Sequence, residues 1–171
     1  KDYPSFRKML QGKDFDAVID NIGYRPEEVE TTLDILKGHV GLYIFTSTIC
    51  IYRDQYLNGK MLREADFQPA TVLGPAKDGM DEYAIGKIQC ESKVIEQKDQ
   101  PYVILRPSIV VGPDDHALTL YFFLQRILDG GPIVLPKHSK QKLRHVYEKD
   151  LARVYLKLLD RTSCWNEAFN V

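Results

Sequence analysis

The chain has 171 residues, 23 Lys and Arg against 24 Asp and Glu, and 44% hydrophobic residues, a balance that suits one soluble globular domain and excludes disorder as the main state. A formal charge of -1 leaves no electrostatic footprint for DNA or RNA, so nucleic acid is a minor hypothesis. Cysteines at 50, 90 and 164 form no CxxC pair and are odd in number, which fits a reducing, cytoplasmic compartment; no apolar run reaches the roughly 20 residues of a membrane helix.

Phe15 to Asp20 is a short apolar run ending in Asp-Asn-Ile-Gly and reads as a buried strand. Pro26 opens a stretch in which Val29, Leu33 and Leu36 recur at helical spacing, and Gly38 closes it. Gly41 to Phe45 is a second buried strand that stops at Thr46-Ser47-Thr48. Strand, helix, strand predicts a parallel α/β sheet. Residues 53 to 82 carry little periodicity and five Gly or Pro, which predicts a long surface excursion. Tyr83 to Gln97 then reads as a helix and Tyr102 to Leu105 as a strand. Ser108 to Gly112 is apolar but turn-rich between Pro107 and Pro113. Leu118, Tyr121, Phe122 and Leu128 suit an amphipathic helix packed against the sheet, ended by Gly130-Gly131-Pro132. Leu143 to Tyr147 reads as a strand, and Leu151, Val154, Tyr155, Leu158 and Leu159 mark a last helix.

Tyr83 and Lys87 stand at i and i+4, which puts a phenol and an ammonium on one helical face. A phenol with a pKa near 10 needs a neighbouring cation to exchange protons near neutrality, and a shift of about three units takes about 4 kcal/mol. The same spacing also suits a surface lysine packing its stem beside a half-buried tyrosine. Thr48 lies where a buried strand gives way to a loop, the place where open α/β sheets bind ligands, and an N-cap or turn hydroxyl is its plainer role. His39, His116, His138 and His145 show no metal-ligand spacing, so no metal is expected; His116 follows Pro113-Asp114-Asp115 in a loop that could touch substrate. Cys50, two residues after Thr48, reads as a buried small hydrophobe. Lys137, Lys140, Lys142 and Arg144 form a basic cluster with His138, either solvated surface or a phosphate contact.

Several pieces in order resemble the extended short-chain dehydrogenases and reductases, the NAD-dependent epimerase/dehydratase family. They are Phe15 to Gly23, Tyr43 to Tyr52, Arg63 to Asp66, Tyr83-Ala84-Ile85-Gly86-Lys87 with Glu91 one turn on, Leu105 to Pro113, Arg144 to Ala152 and Phe169-Asn170-Val171. The resemblance implies an α/β fold: a partial Rossmann-type parallel sheet with helices on both faces over residues 1–113, and from 114 to 171 the start of a small substrate-binding region with elements returning to the sheet. It implies Tyr83 as catalytic acid/base, Lys87 as the residue that binds the nicotinamide ribose and depresses the tyrosine pKa, and Thr48 as the hydrogen-bond partner of the reacting oxygen. Cofactor-facing positions would be Asn21, Ile22, Gly23, Thr46, Ser47, Tyr83, Lys87, Pro107, Ser108, Ile109 and Val110. The cofactor would be NAD or NADP, and the partner a small molecule that is sugar-like or nucleotide-linked, or another secondary alcohol or carbonyl compound. A homodimer through the Tyr83 helix and its neighbour is also implied, with no membrane partner.

The family's dehydratases place Asp-Glu directly after the matching Thr; here Ile49 and Cys50 follow, which disfavours elimination and leaves epimerisation or simple oxidoreduction. The sequence holds no GxxGxxG, so the expectation is a piece of a longer protein that lacks the amino-terminal glycine-rich βαβ unit and the carboxyl-terminal end. The short connection from Gly23 to Gly41 resembles the atypical branch of the family. A nucleotide-binding regulatory or RNA-associated protein without turnover is therefore the alternative to an enzyme.

Overall fold

The computed structural model describes residues 2–10, 12–52, 61–67, 79–134 and 143–171. Their elements in chain order are α1 (Tyr3–Leu10), β1 (Val18–Asp20), α2 (Pro26–Leu36), β2 (Tyr43–Thr46), α3 (Gly79–Glu96), β3 (Tyr102–Arg106), β4 (Ile109–Val111), α4 (Tyr121–Leu128), β5 (His145–Tyr147), α5 (Glu148–Leu159) and β6 (Glu167–Asn170). Four strands make a parallel sheet in the order β1-β2-β3-β6, with Ile19 beside Ile44, Ile44 beside Val103, and Ile104 beside Ala168. A parallel bridge from Phe15 to Val40 continues the β1–β2 pairing toward the strand starts. The chain is thus a parallel Rossmann-like sheet with helices on both faces, as expected.

The two faces follow from the period of two along β2 and β3. Tyr43, Phe45 and Ile104 point to one side, where Val29, Leu33 and Leu36 of α2 and Cys90 and Val94 of α3 cover them. Leu42, Ile44, Val103 and Leu105 point to the other, against Leu151 and Leu158 of α5. Because strands buried on both faces carry apolar residues at every position, the central segments read as unbroken apolar runs. Pro26 sits in the first turn of α2, where a missing N–H costs nothing, and Glu27 and Glu28 complement the positive helix end.

Several boundaries differ from expectation. α3 begins at Gly79, four residues before Tyr83, so part of the expected surface excursion is helical. Most of that excursion lies outside the described residues; within 61–67 there is one short 3-10 turn, Glu64–Asp66. Ser108 to Gly112 contains a strand, β4, which pairs with β5 in a separate two-stranded parallel sheet. α1 and β6 have no counterpart in the sequence pattern, although β6 pairs with β3 along its length. The expected packing of α4 against the sheet is not found. None of its residues is buried, and Tyr121, Phe122, Leu124, Ile127 and Leu128 are 50 to 82% exposed. Its apolar pattern is that of a helix with a covered face, but among the described residues that face contributes nothing to the core. Among the described residues no helix is long and apolar enough to cross a membrane.

Candidate functional site

The carboxyl ends of β1, β2 and β3 and the first half of α3 converge on one place. Backbone N–H of Ser47 donates to Leu105 O at 2.7 Å, and that of Ile49 to Pro107 O at 3.1 Å, so the segment after β2 stays laced to the end of β3. Thr48, buried on this segment, receives the backbone N–H of Cys50 on its hydroxyl oxygen at 3.2 Å. Its side chain lies beside the phenol of Tyr83, on which it acts to lower the pKa. The two residues singled out 35 positions apart are therefore neighbours.

Lys87, one turn beyond Tyr83, is buried and its Nζ donates to Gly23 O and Thr46 O, each at 2.8 Å. The ammonium also stands 4.6 Å from the Tyr24 ring centre and 4.9 Å from that of Phe45. Two carbonyl dipoles and two ring faces compensate much of what burial takes from its hydration. Gly86 makes this approach feasible. A Cβ there would stand 2.7 Å from the Tyr24 carbonyl oxygen, so a residue without a side chain lets α3 close onto the loop after β1.

The expected depression of the Tyr83 pKa is not found in this arrangement. The phenol is held above its ordinary value, chiefly because burial disfavours the phenolate; the Thr48 side chain opposes that, and Cys50 and Tyr24 add to it. The physical reason lies in the lysine, whose ammonium is directed at the carbonyls of Gly23 and Thr46.

The other sequence-derived positions divide. Gly23, Ser47 and Pro107 are buried around the Tyr83–Lys87 pair and its strand ends, while Asn21 and Ile22 are exposed on the same loop as Gly23. Thr46 Oγ1 donates to Asn21 Oδ1 at 2.5 Å and lies 2.6 Å from Tyr155 Oη, which ties this loop to α5. Ser108 is half-buried, its N–H bonded to Val171 O at 2.8 Å. Ile109 and Val110 belong to the separate β4–β5 sheet and are exposed. Among the described residues Ser47 Oγ is buried without a hydrogen-bond partner.

His116 is exposed, and its loop is shaped by Asp115, which accepts the N–H groups of Ala117 and Thr119. His39 pairs with Asp14 on the surface at 2.8 Å. Cys50 is half-buried rather than fully enclosed. Lys137, His138, Lys140 and Lys142 lie outside the described residues, and Arg144 is exposed.

Sequence reasoning missed three contributors. Tyr24, half-exposed, covers the Lys87 ammonium and stands 6.1 Å from the Tyr83 ring; a lone aromatic after a strand gives no periodic signal. Arg106 and Glu91 form a buried pair behind the site, with Arg106 Nη2 at 2.7 Å from Glu91 Oε2 and Nε at 3.1 Å from Oε1. Arg106 Nη1 also donates to Tyr52 Oη at 3.2 Å, and that hydroxyl donates to Asn170 Oδ1 at 2.8 Å. The third is Asp20, which binds the turn at Ile22 and Gly23.

Comparison with known proteins follows the same lines. Residues 28–171 match the NAD dependent epimerase/dehydratase family. Over all 171 residues the chain is 28% identical to the chloroplast stem-loop binding protein of 41 kDa b of Arabidopsis thaliana, and it spans 42% of that protein's length. Among solved structures it is similar to a variant of UDP-glucuronic acid 4-epimerase from Bacillus cereus in complex with UDP-4-deoxy-4-fluoro-glucuronic acid and NAD, with TM-score 0.73 and 18% identity. It is also similar to a UDP-N-acetylglucosamine 4-epimerase from Methanobrevibacter ruminantium, with TM-score 0.68 and 22% identity. Both alignments take in the whole of this chain and 58 and 59% of theirs. At such identities the structural likeness speaks for the fold.

Proposed function

Since this chain belongs to the NAD dependent epimerase/dehydratase family, we propose that it carries the proton-handling centre of an NAD(P)-dependent oxidoreductase or epimerase acting on a sugar-like or other secondary alcohol or carbonyl compound. The observation that carries this reading is the Thr48 side chain beside the Tyr83 phenol, with Lys87 buried one helical turn further on. Burial keeps the Tyr83 phenol protonated, which suits it to donate to a carbonyl oxygen and, once a cation or a polarised partner offsets the burial, to take the proton back. Thr48 would hold the reacting oxygen against Tyr83. Ile49 and Cys50 offer no carboxylate for elimination, so oxidoreduction or epimerisation is favoured.

The donor set fits a nicotinamide dinucleotide. The unpartnered, buried Ser47 hydroxyl and the Lys87 ammonium stand at the same strand ends, beside the turn at Gly23. Asn21, Ile22, Gly23, Thr46, Ser47, Tyr83, Lys87 and Pro107 to Val110 would hold it, with residues 1–113 as the nucleotide-binding part and 114–171 as the start of the substrate region. When bound, the nicotinamide supplies or accepts a hydride. Turnover of the natural-length protein tests the reading: Tyr83→Phe should lower kcat by about 10² or more while leaving the fold and nucleotide affinity within a factor of about two. Unchanged turnover would end the proposal.

A second reading is favoured by the 28% identity to a chloroplast stem-loop binding protein: a nucleotide-binding regulatory or RNA-associated protein of the same fold without turnover. Filter binding of a stem-loop RNA over a salt series separates the two, because phosphate contacts weaken steeply with salt. A homodimer through α3 and its neighbour is part of the proposal, and sedimentation equilibrium reads it directly.

A further inference from the structure

Asp20 closes β1, and its buried carboxylate has both oxygens engaged. Oδ1 accepts the backbone N–H groups of Ile22 and Gly23, each at 2.9 Å. Oδ2 accepts the Tyr43 hydroxyl at 2.6 Å from the neighbouring strand, where Tyr43 is wholly buried. A carboxylate that takes two successive amides in this way imposes a tight turn on the chain that follows it.

The turn has little room for any other shape. A Cβ on Gly23 would stand 2.7 Å from Val29 Cγ2, 3.0 Å from Phe45 Cε2 and 3.1 Å from Asp20 Oδ2, so Gly23 is packed from three sides. Its carbonyl oxygen is one of the two that hold Lys87 Nζ at 2.8 Å. Asp20 thus fixes Gly23, and Gly23 fixes the lysine. The thiol of Cys90 senses both charges, since Lys87 lowers its pKa and Asp20 raises it, so the carboxylate and the ammonium share one buried neighbourhood.

We propose that Asp20 is a positioning residue for Lys87: held by Tyr43 and bonded to the Ile22 and Gly23 amides, it sets the Gly23 carbonyl that anchors the lysine beside Tyr83. For the function of that lysine the inference rests on the NAD(P)-dependent reading, but the coupling itself can be read without any nucleotide. The strand-end turn is then part of the site's machinery, because it decides where the single cation of the Tyr-x-x-x-Lys pair stands.

Two measurements test it on the natural-length protein. The first is hydrogen exchange of the unsubstituted protein. The Gly23 amide belongs to no strand or helix, yet it should exchange at least ~100-fold more slowly than an open amide because a buried carboxylate holds it. Exchange at the open rate would overturn the proposal whether or not any variant folds. The second is acetylation of lysines by a dilute succinimidyl acetate, quantified peptide by peptide. Lys87 should react slowly beside the exposed Lys37. In Asp20→Ala its relative reactivity should rise about tenfold, the scale of one lost hydrogen bond to a charged group, with Lys37 unchanged.

Asp20→Asn keeps an acceptor for the two amides and should return Lys87 to within about threefold of the original protection. A folded Asp20→Ala protein with Lys87 still protected would overturn the proposal. So would an Asn variant as exposed at Lys87 as the Ala variant. Absence of NADH and NADPH binding by the unsubstituted protein would instead sink the functional reading and leave the Asp20–Lys87 coupling standing. Where turnover is measurable, Asp20→Ala should raise the nucleotide KM and lower kcat together, and Asp20→Asn should restore both.

Discussion

Replacing Glu91 by Ala should be among the most damaging single changes available behind the site. Arg106 is 3% and Glu91 0% exposed, and they meet through two nearly parallel bonds of 2.7 and 3.1 Å. Removing the carboxylate leaves a guanidinium in the interior with the Tyr52 hydroxyl and the Phe67 ring, 4.6 Å from its centre, as remaining named neighbours. Leaving one charge of a buried pair uncompensated costs about 3–5 kcal/mol, against a total stability of about 5–15 kcal/mol for an ordinary domain. Glu91→Gln keeps an acceptor for one of the two bonds and should cost about half as much. In urea, with a slope of about 2 kcal/mol per molar, Glu91→Ala should lower the midpoint by about 2 M. Combining Glu91→Leu with Arg106→Met should recover most of the loss, because the penalty comes from the unpaired charge rather than from the missing bond. A midpoint shift below about 0.5 M for Glu91→Ala, or a double variant no better than the single one, would refute this reasoning.

Two further outcomes follow from the packing around Lys87. Gly86→Ala gains about 1 kcal/mol of helix propensity, but its methyl would meet the Tyr24 carbonyl at 2.7 Å, so a net loss of about 1–2 kcal/mol is expected, read as a lower urea midpoint together with easier acetylation of Lys87; a stabilised Ala variant would contradict the close approach. Burial pushes the Cys90 thiol from 9.0 up to about 12, so in the native state it stays neutral where the unfolded thiol ionises. Its contribution is complete below pH 9 and is lost as pH rises toward 12, at up to about 1.4 kcal/mol per pH unit. Urea midpoints between pH 9 and 10 should therefore fall in the unsubstituted protein and fall less in Cys90→Ala, and identical slopes would argue against a buried neutral thiol.

The central sheet was legible because β2 and β3 are buried on both sides, which makes Tyr43 to Phe45 and Tyr102 to Leu105 continuous apolar runs. β6 escaped because Glu167-Ala168-Phe169-Asn170 has neither a β-branched residue nor a clean alternation; its strand state comes from the free edge that β3 offers it. α1 escaped for a related reason, since none of its residues is buried and Leu10 packs only partly buried against the core. The helical pattern of Tyr121 to Leu128 was read correctly as a helix, yet a sequence pattern says that a face is apolar and not what lies against it.

In the site, the pairing of Thr48 with Tyr83 was reachable from the order of the motifs. The orientation of Lys87 was not. Helical spacing puts an ammonium near a phenol, but the carbonyls of Gly23 and Thr46, brought in by a turn that Asp20 ties, decide where it points. Tertiary neighbours of this kind, and the Tyr24 ring above them, leave no periodic trace in a single sequence.

The most direct measurement is a titration of the natural-length protein with NADH and NADPH, followed by nicotinamide fluorescence, alongside its Lys87→Met variant. Saturable binding of at least one nucleotide, weakened at least tenfold by the variant, is the result this account predicts. Binding of neither nucleotide, or binding that Lys87→Met leaves untouched, would contradict it.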